Sequence, residues 1–199
     1  MNLDQKEFKK IIEFLSLENF NIDEGFTPKP IGDGQSNPTF LIRDERKNFK
    51  VLRTQPIGNL ARGAHRVDRE FSVIRALFNK GFECPQPYAV CDNPDLIGRM
   101  FYVMDFVEGD INFDPFLPDE SFEDKQKIYK SLAEVLGRLH SYDIDELGLS
   151  FRKNQGFMKR NLSLWYDQIF DDVSKKDKEI EKVYKNILSK LPTESTLSL

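Results

Sequence analysis

The sequence contains few of the residues from which disulfide frameworks and metal centres are built. Its 199 residues include two cysteines, two histidines and one tryptophan. Cys84 and Cys91 are seven positions apart, whereas zinc ligands usually come in pairs about two to four positions apart. We therefore expect two reduced thiols, as is usual in cytosolic proteins, and no metal ligands in this chain.

Long apolar runs and an excess of one charge are also absent. No run of about 18 apolar residues occurs, and residues 1–10 are polar, so neither a membrane-spanning helix nor a signal peptide is predicted. The 29 basic and 33 acidic residues are mixed along the chain and give a net charge of -4. This pattern lacks the basic stripe of nucleic-acid-binding proteins and the polybasic tail of membrane-bound ones. We expect a cytoplasmic protein that binds neither nucleic acid nor membrane.

What the sequence does contain is periodic apolar segments, and their order predicts an α+β fold. Apolar residues recur at helical spacing between Asp4 and Leu17, and again between His65 and Lys80, where Gly81 marks a helix end. Short apolar runs predict strands at residues 39–42, 49–52, 88–91 and 100–106. A charged turn separates the first two runs and predicts an antiparallel hairpin.

The second half of the chain is predicted to be helical. Apolar residues repeat at helical spacing over residues 128–139, 162–169 and 180–191. The stretch 108–118 is rich in Gly, Asp and Pro and marks the best domain boundary. We predict a sheet-containing lobe over residues 1–107 and a helical lobe over residues 108–199. Trp165 is expected in the core of the second lobe.

A glycine-rich turn before the first strong strand is a candidate anion site. Its candidate residues are Gly32, Gly34, Gln35, Ser36 and Asn37. Two glycines let a backbone turn approach a polyanion with its N–H groups exposed. Taken alone, the turn is more typical of a surface hairpin. A dinucleotide-binding turn would open a helix, whereas a strand follows here.

A cation and a carboxylate follow at positions suited to phosphate binding. Arg53 ends the second strand, where kinases carry the lysine that holds nucleotide phosphates, and a guanidinium also binds phosphate oxygens. Glu70, seventeen residues later in the predicted helix, is placed to pair with Arg53. Each residue alone also fits a solvated surface side chain. Their order behind the glycine-rich turn favours phosphate binding.

The last predicted strand opens into the domain boundary, where a kinase-type cleft holds adenine. The candidate adenine residues are Met104, Asp105, Phe106 and Val107. At such a segment the base meets backbone N–H and C=O groups between apolar side chains. An ordinary buried strand would show the same sequence.

Five segments in this order resemble the aminoglycoside phosphotransferase (choline kinase-like) superfamily, above all the phosphotransferase domains related to those fused to acyl-CoA dehydrogenases. They are GQSNPT at 34–39, VLR at 51–53, VDREF at 67–71, YVMDFVEG at 102–109 and LHS at 139–141. The resemblance implies a protein-kinase-like two-lobe fold that uses ATP and Mg²⁺ to phosphorylate a hydroxyl of a small molecule, such as a hydroxyacyl-CoA. It places residues 32–37 and Arg53 at the phosphates, Glu70 on Arg53, and residues 104–107 at adenine.

The chain departs from the family pattern in two places. Asn37 replaces the third loop glycine of protein kinases, and Asn tolerates a left-handed backbone. The family's catalytic loop, H-G-D-x-x-x-x-N, is expected after about residues 191–199, but no His-Gly-Asp occurs in the chain. We therefore expect an incomplete helical lobe, Mg²⁺ ligands and catalytic residues in a missing C-terminal part, inactivity in isolation, and self-association.

A second interpretation stays open beside this one. In it, the chain is a non-catalytic remnant of the same fold that binds a nucleotide or a partner. Both histidines are assigned structural roles: His140 near a helix C-terminus packs or caps, and His65 at a helix start is a surface residue.

Overall fold

The computed structural model describes residues 3–32, 36–58, 60, 63–149, 156–171 and 177–192. The predicted leading helix is present as α1, Gln5–Leu17. The Asp4 carboxylate accepts a hydrogen bond from the Glu7 N–H at 2.7 Å, and the Glu7 carboxylate accepts one from the Asp4 N–H at 3.2 Å. This reciprocal capping box satisfies two N–H groups that a helix start leaves unpaired.

Five strands form one antiparallel sheet. They are β1 Lys29–Pro30, β2 Thr39–Arg43, β3 Phe49–Thr54, β4 Pro87–Cys91 and β5 Phe101–Asp105, in the spatial order β1-β2-β3-β5-β4. The predicted hairpin is confirmed as β2 and β3, with Thr39 paired to Arg53. Strand β1 was not predicted, because two residues are too few to show a period.

One helix covers each face of the sheet. The helix between β3 and β4 is α2, Val67–Asn79. The α1 side is lined by Ile11, Leu15, Phe40, Leu52 and Val103, and the α2 side by Val67, Phe71 and Tyr102. Because successive side chains of a strand alternate between faces, Leu52 faces α1 and its neighbour Arg53 faces α2.

Three further helices follow at the predicted positions. They are α3 Phe122–His140, α4 Phe157–Asp171 and α5 Lys178–Ser189. The ring centroids of Tyr166 on α4 and Tyr184 on α5 lie 4.1 Å apart. Trp165 is 60% exposed, so the prediction that its side chain lies in the core of the second lobe is wrong. Helical periodicity identifies an apolar face but does not show whether another element covers it.

The chain divides into two compact units, residues 1–126 and residues 127–199. All candidate phosphate and adenine residues belong to the first unit. The division after residue 107, inferred from composition, stays a prediction. None of the helices in the described part of the chain is long and apolar enough to cross a membrane.

Candidate functional site

Three polar side chains form a row across the sheet on the face that α2 covers. The strand register places Thr39 of β2 beside Arg53 of β3, and Arg53 beside Tyr102 of β5. Side chains of directly paired residues lie on the same face of an antiparallel sheet. Arg53 was a candidate from the sequence. Its two neighbours were not, because they follow from a register that the sequence left open.

Glu70 reaches this row from the first turn of α2. Its Oε2 accepts a hydrogen bond from Arg53 Nε at 2.8 Å and another from the Tyr102 hydroxyl at 3.2 Å. A negative charge is favourable in the first turn of a helix. The Arg53 and Glu70 side chains remain 30% and 36% exposed. The predicted pairing of these two residues is therefore present, and the pair is open to solvent.

Asn37, at the end of the glycine-rich turn, closes a ring of hydrogen bonds with these side chains. Its Nδ2 donates to Glu70 Oε1 at 2.8 Å. Arg53 Nη1 donates to Thr39 Oγ1 at 3.2 Å, and the Thr39 hydroxyl donates to the Asn37 carbonyl oxygen at 3.0 Å. The Asn37–Glu70–Arg53–Thr39 ring therefore ties the turn, two strands and a helix together.

His65 contacts the ring from the segment before α2. Its Nδ1 lies 2.9 Å from Asn37 Oδ1 and 3.5 Å from Ser36 Oγ. Its backbone φ is 55°, a left-handed conformation that histidine adopts more readily than most residues. His65, which was expected to be a surface residue, is half-buried, and its ring contacts Asn37 across 28 positions. No local sequence pattern shows such a contact.

Tyr102 is the buried member of the row and is 1% exposed. Burial, and then the negative charge of Glu70, raise the pKa of its hydroxyl well above the ordinary value near 10. The hydroxyl therefore stays protonated at neutral pH and donates its hydrogen to Glu70. The carboxylate of Glu70 thus has three donors: Arg53, Asn37 and Tyr102.

The glycine-rich turn itself is described only at its ends. Gly32 has a φ of 77°, a left-handed conformation that glycine adopts without steric strain. Ser36 is exposed beside the ring. The candidates Gly34 and Gln35 lie outside the described residues.

The four candidate adenine residues lie in different environments. Met104 is on the α2 face, paired across the sheet with Val51. Asp105, one position later, points to the opposite face. Phe106 and Val107 follow β5 and are 38% and 65% exposed. The side chains that share a face with Arg53 therefore do not include Asp105.

Asp105 ends β5 in a polar cluster on the α1 side of the sheet. Its Oδ1 accepts hydrogen bonds from Lys50 Nζ at 2.6 Å and from the Tyr88 hydroxyl at 2.7 Å. Burial lowers the pKa of the Lys50 ammonium, but the hydrogen bonds to Asp105 and Tyr88 outweigh it and raise the pKa overall. The sequence did not reveal this cluster, because Lys50 and Asp105 are 55 positions apart.

Side chains of the types that can bind metal ions lie apart from one another in the part of the chain that the structure describes. No group of three or more His, Cys, Asp or Glu side chains there is arranged to hold a metal ion. Cys84 and Cys91 are both free thiols, as expected. Burial raises the pKa of each thiol, so both stay protonated at neutral pH.

Comparison with known sequences identifies relatives that are much longer than this chain. The model of the family described as "Phosphotransferase enzyme family" matches residues 27–199. Acyl-CoA dehydrogenase family member 11 of Rattus norvegicus is 45% identical over 136 residues. That match covers 68% of this chain and 17% of the rat protein. The chain therefore corresponds to under a fifth of that relative.

The same fold occurs in solved structures. A candidate aminoglycoside phosphotransferase from Ralstonia eutropha has a TM-score of 0.64 at 24% identity, and the match covers 94% of this chain and 54% of that one. The GDP complex of aminoglycoside 2'-phosphotransferase-IIIa has a TM-score of 0.56 at 17% identity, with 94% and 60% covered. The expected α+β, protein-kinase-like fold is confirmed. Because the family model matches most of its residues, this chain belongs to the phosphotransferase enzyme family.

Proposed function

We propose that this chain binds ATP as the nucleotide-binding part of a phosphotransferase. The observation that carries the proposal is the Arg53–Glu70 pair, joined at 2.8 Å within the ring that also contains Asn37 and Thr39. A cation held in a fixed orientation beside a glycine-rich turn binds phosphate without first having to be ordered. Residues 32–37 would then cover the phosphates.

Arg53 has N–H groups that the hydrogen-bonded ring does not use and that can donate to a phosphate. A guanidinium has five N–H donors, and the ring uses one at Nε and one at Nη1. No described residue accepts a hydrogen bond from Nη2. Because the side chain is 30% exposed, a ligand can reach these donors from solvent.

Apolar side chains beside Arg53 offer a surface for the base. Leu41, Val51 and Met104 form the next row on the same face of the sheet. The rings of Phe49 and Phe106 continue this surface, edge to face, with centroids 6.3 Å apart. We place the adenine ring over these side chains, because base sites combine apolar walls with a few backbone polar groups.

Among the candidate adenine residues, Asp105 contributes least to this proposal. Its N–H donates to the Gln86 carbonyl oxygen at 2.9 Å, and its carboxylate lies on the α1 side of the sheet. Backbone groups of Met104, Phe106 and Val107 therefore carry the proposed contact with the base edge.

ATP and Mg²⁺ are our choice of cofactors. The solved aminoglycoside 2'-phosphotransferase-IIIa contains GDP, which supports nucleotide binding by this fold, and the family resemblance favours ATP. Mg²⁺ neutralises the charge that develops on transferred phosphate. The described residues offer it no ligand cluster, so we propose that its ligands lie outside the described residues and attribute no step to it here.

We further propose that the acceptor is the hydroxyl of a small molecule, specifically of a hydroxyacyl-CoA. The 45% identity to a protein named acyl-CoA dehydrogenase family member 11 supports this choice. Calorimetric titration of the chain with a hydroxyacyl-CoA and with an aminoglycoside tests it, and binding of the aminoglycoside alone would contradict it.

The chain contains no His-Gly-Asp sequence, so we propose that it binds nucleotide without transferring phosphate by itself. A phosphorylated hydroxyacyl-CoA formed by the isolated chain from ATP and Mg²⁺ would contradict this. The same absence favours the alternative of a non-catalytic remnant. Monomeric, cooperative unfolding of the 199-residue chain would support that alternative.

We propose that the chain acts in the cytoplasm. We also propose that it self-associates through exposed apolar side chains on α3, where Leu132 and Leu136 are 50% and 42% exposed.

Thermal unfolding with and without ATP and Mg²⁺ tests the nucleotide site. ATP should raise the melting temperature of the unmodified chain, since a ligand that binds only the folded state stabilises it. Arg53→Ala should abolish this rise while leaving the circular dichroism spectrum unchanged. Arg46→Ala removes the same charge from the exposed turn between β2 and β3 and should keep the rise. An unchanged rise in Arg53→Ala would contradict the proposed site.

A further inference from the structure

The hydrogen bonds around Asn37 determine which nitrogen of His65 carries a proton. An ionised carboxylate only accepts hydrogen bonds, so the Asn37 atom 2.8 Å from Glu70 Oε1 is the donor Nδ2. The other amide atom, Oδ1, therefore faces His65 Nδ1 at 2.9 Å. An amide oxygen also only accepts. His65 Nδ1 must then be the N–H that donates to it.

We propose that His65 is a positioning residue of the phosphate site, whose Nδ1–H orients the Asn37 amide and thereby holds Glu70 and Arg53 in place. Asn37 is 6% exposed, so water cannot readily replace a lost donor. Glu70 favours Nδ2 on its own side, but without the His65 donor the buried Asn37 Oδ1 would have no hydrogen-bond partner among the described residues. The amide would then be held on one side only, and a rotation that relieves the buried Oδ1 would cost Glu70 one of its three donors.

The backbone around His65 is held in the conformation that this contact requires. Its φ of 55° is left-handed, a strained conformation that persists where surrounding structure enforces it. Gln55 supplies that enforcement: its Nε2 donates to the His65 carbonyl oxygen at 2.8 Å, and its Oε1 accepts from the Met100 N–H at 3.0 Å. A side-chain amide anchored on the sheet therefore fixes His65 beside Asn37.

The same assignment argues against His65 as a direct ligand of the phosphates. In the neutral ring with Nδ1–H, the other nitrogen Nε2 has a lone pair and only accepts. Phosphate oxygens are acceptors too, so the neutral ring offers them no donor. No described residue forms a hydrogen bond with Nε2. His65 therefore acts on the phosphate site indirectly, by orienting Asn37 within the hydrogen-bonded ring.

The tautomer of His65 is measurable without any nucleotide. Nitrogen-15 NMR of the uniformly labelled full chain, recorded at a pH of about 8.5 where ordinary histidines are neutral, distinguishes a protonated Nδ1 from a protonated Nε2. The chain has two histidines, and His140→Gln assigns the two signals. We expect His65 with a protonated Nδ1. A protonated Nε2 would overturn the inference, whatever the chain binds.

Two substitutions of His65 test the consequence for ATP, which rests on the proposed function. Glycine and asparagine both tolerate the left-handed backbone, but only asparagine offers an N–H donor close to the position of Nδ1. His65→Gly should weaken ATP binding roughly five-fold, the effect of one neutral hydrogen bond. His65→Asn should restore most of the affinity, and His140→Asn should change nothing.

The outcomes separate this inference from the proposed function. Equal losses in His65→Gly and His65→Asn, or no loss in His65→Gly, would overturn the positioning role. No ATP binding by the unmodified chain would contradict the proposed function, and the NMR tautomer would still decide the role of His65. If either variant fails to fold, that NMR measurement on the unmodified chain decides alone.

Discussion

The site is organised by single residues whose donors and acceptors match. Glu70 accepts hydrogen bonds from Arg53, Asn37 and Tyr102, so its carboxylate orients all three of these side chains. Hydrogen bonds to an ionised group are about twice as strong as neutral ones. Losing the charge of Glu70 should therefore disturb the site more than losing any one donor.

Glu70→Gln is expected to weaken ATP binding without unfolding the chain. A Gln side chain keeps the shape but turns an NH₂ group toward one of the donors, Arg53 or Asn37. We expect a loss in ATP affinity of about ten-fold, equivalent to about 1.4 kcal/mol. Isothermal titration calorimetry with ATP measures it. Asp68→Asn is the matched control, because Asp68 lies in the same first turn but pairs with Arg66. Equal losses in both variants would contradict a specific role for Glu70.

Tyr102 should make the stability of the chain fall at alkaline pH. Its folded-state pKa lies above the ordinary value near 10, so folded and unfolded chains are both protonated below pH 10. As the pH rises further, the unfolded chain loses this proton and the folded chain keeps it. The free energy of unfolding then falls by up to about 1.4 kcal/mol per pH unit.

Tyr102→Phe should remove that part of the pH dependence. Urea unfolding between pH values of about 9 and 11.5 should show a shallower fall in stability for this variant than for the unmodified chain. Tyr129→Phe, at a tyrosine that is 48% exposed, should leave the slope unchanged. Parallel curves for all three proteins would show that Tyr102 titrates as an ordinary tyrosine.

Among the elements, α1 is attached to the sheet by a buried ion pair as well as by its apolar stripe. Arg99, in the loop between β4 and β5, is 1% exposed, and its Nη2 donates to Glu7 Oε2 at 2.8 Å. Among the described residues, Arg99 Nε and Nη1 have no hydrogen-bond partner. Glu7 therefore supplies the charge that compensates a buried guanidinium, and it also completes the capping box.

Glu7→Gln separates these two roles, because Gln at this helix position also completes a capping box. Removing one partner of a buried ion pair costs about 3 to 5 kcal/mol, and we expect that loss in urea unfolding. Asp4→Ala removes only the cap and should cost about 1 kcal/mol. Adding Arg99→Met to Glu7→Gln should recover much of the stability. A loss with Glu7→Gln no larger than that with Asp4→Ala would contradict this account.

The elements were largely predictable from the sequence, whereas the contacts between them were not. Helices and strands follow from local apolar periods, so α1 and the β2–β3 hairpin were predicted nearly to the residue. The pairing of Arg53 with Glu70 was predicted from their order along the chain. Thr39 and Tyr102 depend on strand register, and His65 depends on a contact across 28 positions, so local patterns could not reveal their part in the site.

The molecule as a whole exposes a continuous apolar stripe on α3. Ile128, Leu132 and Leu136 are four positions apart and are 36%, 50% and 42% exposed. Side chains four positions apart lie on the same side of a helix. Contiguous apolar surface of this kind favours association, which is the physical basis for the proposed self-association.

Leu132→Glu should therefore reduce self-association while preserving the fold. Leu132 is already 50% exposed, so a charge there costs little folding energy, whereas burying that charge between two chains is unfavourable. Sedimentation velocity over a range of chain concentrations should show association of the unmodified chain and a monomeric variant. Gln126→Glu adds the same charge at an exposed position on α3 away from the stripe and should associate like the unmodified chain. A monomeric unmodified chain, or equal association of the two variants, would show that this stripe does not drive assembly.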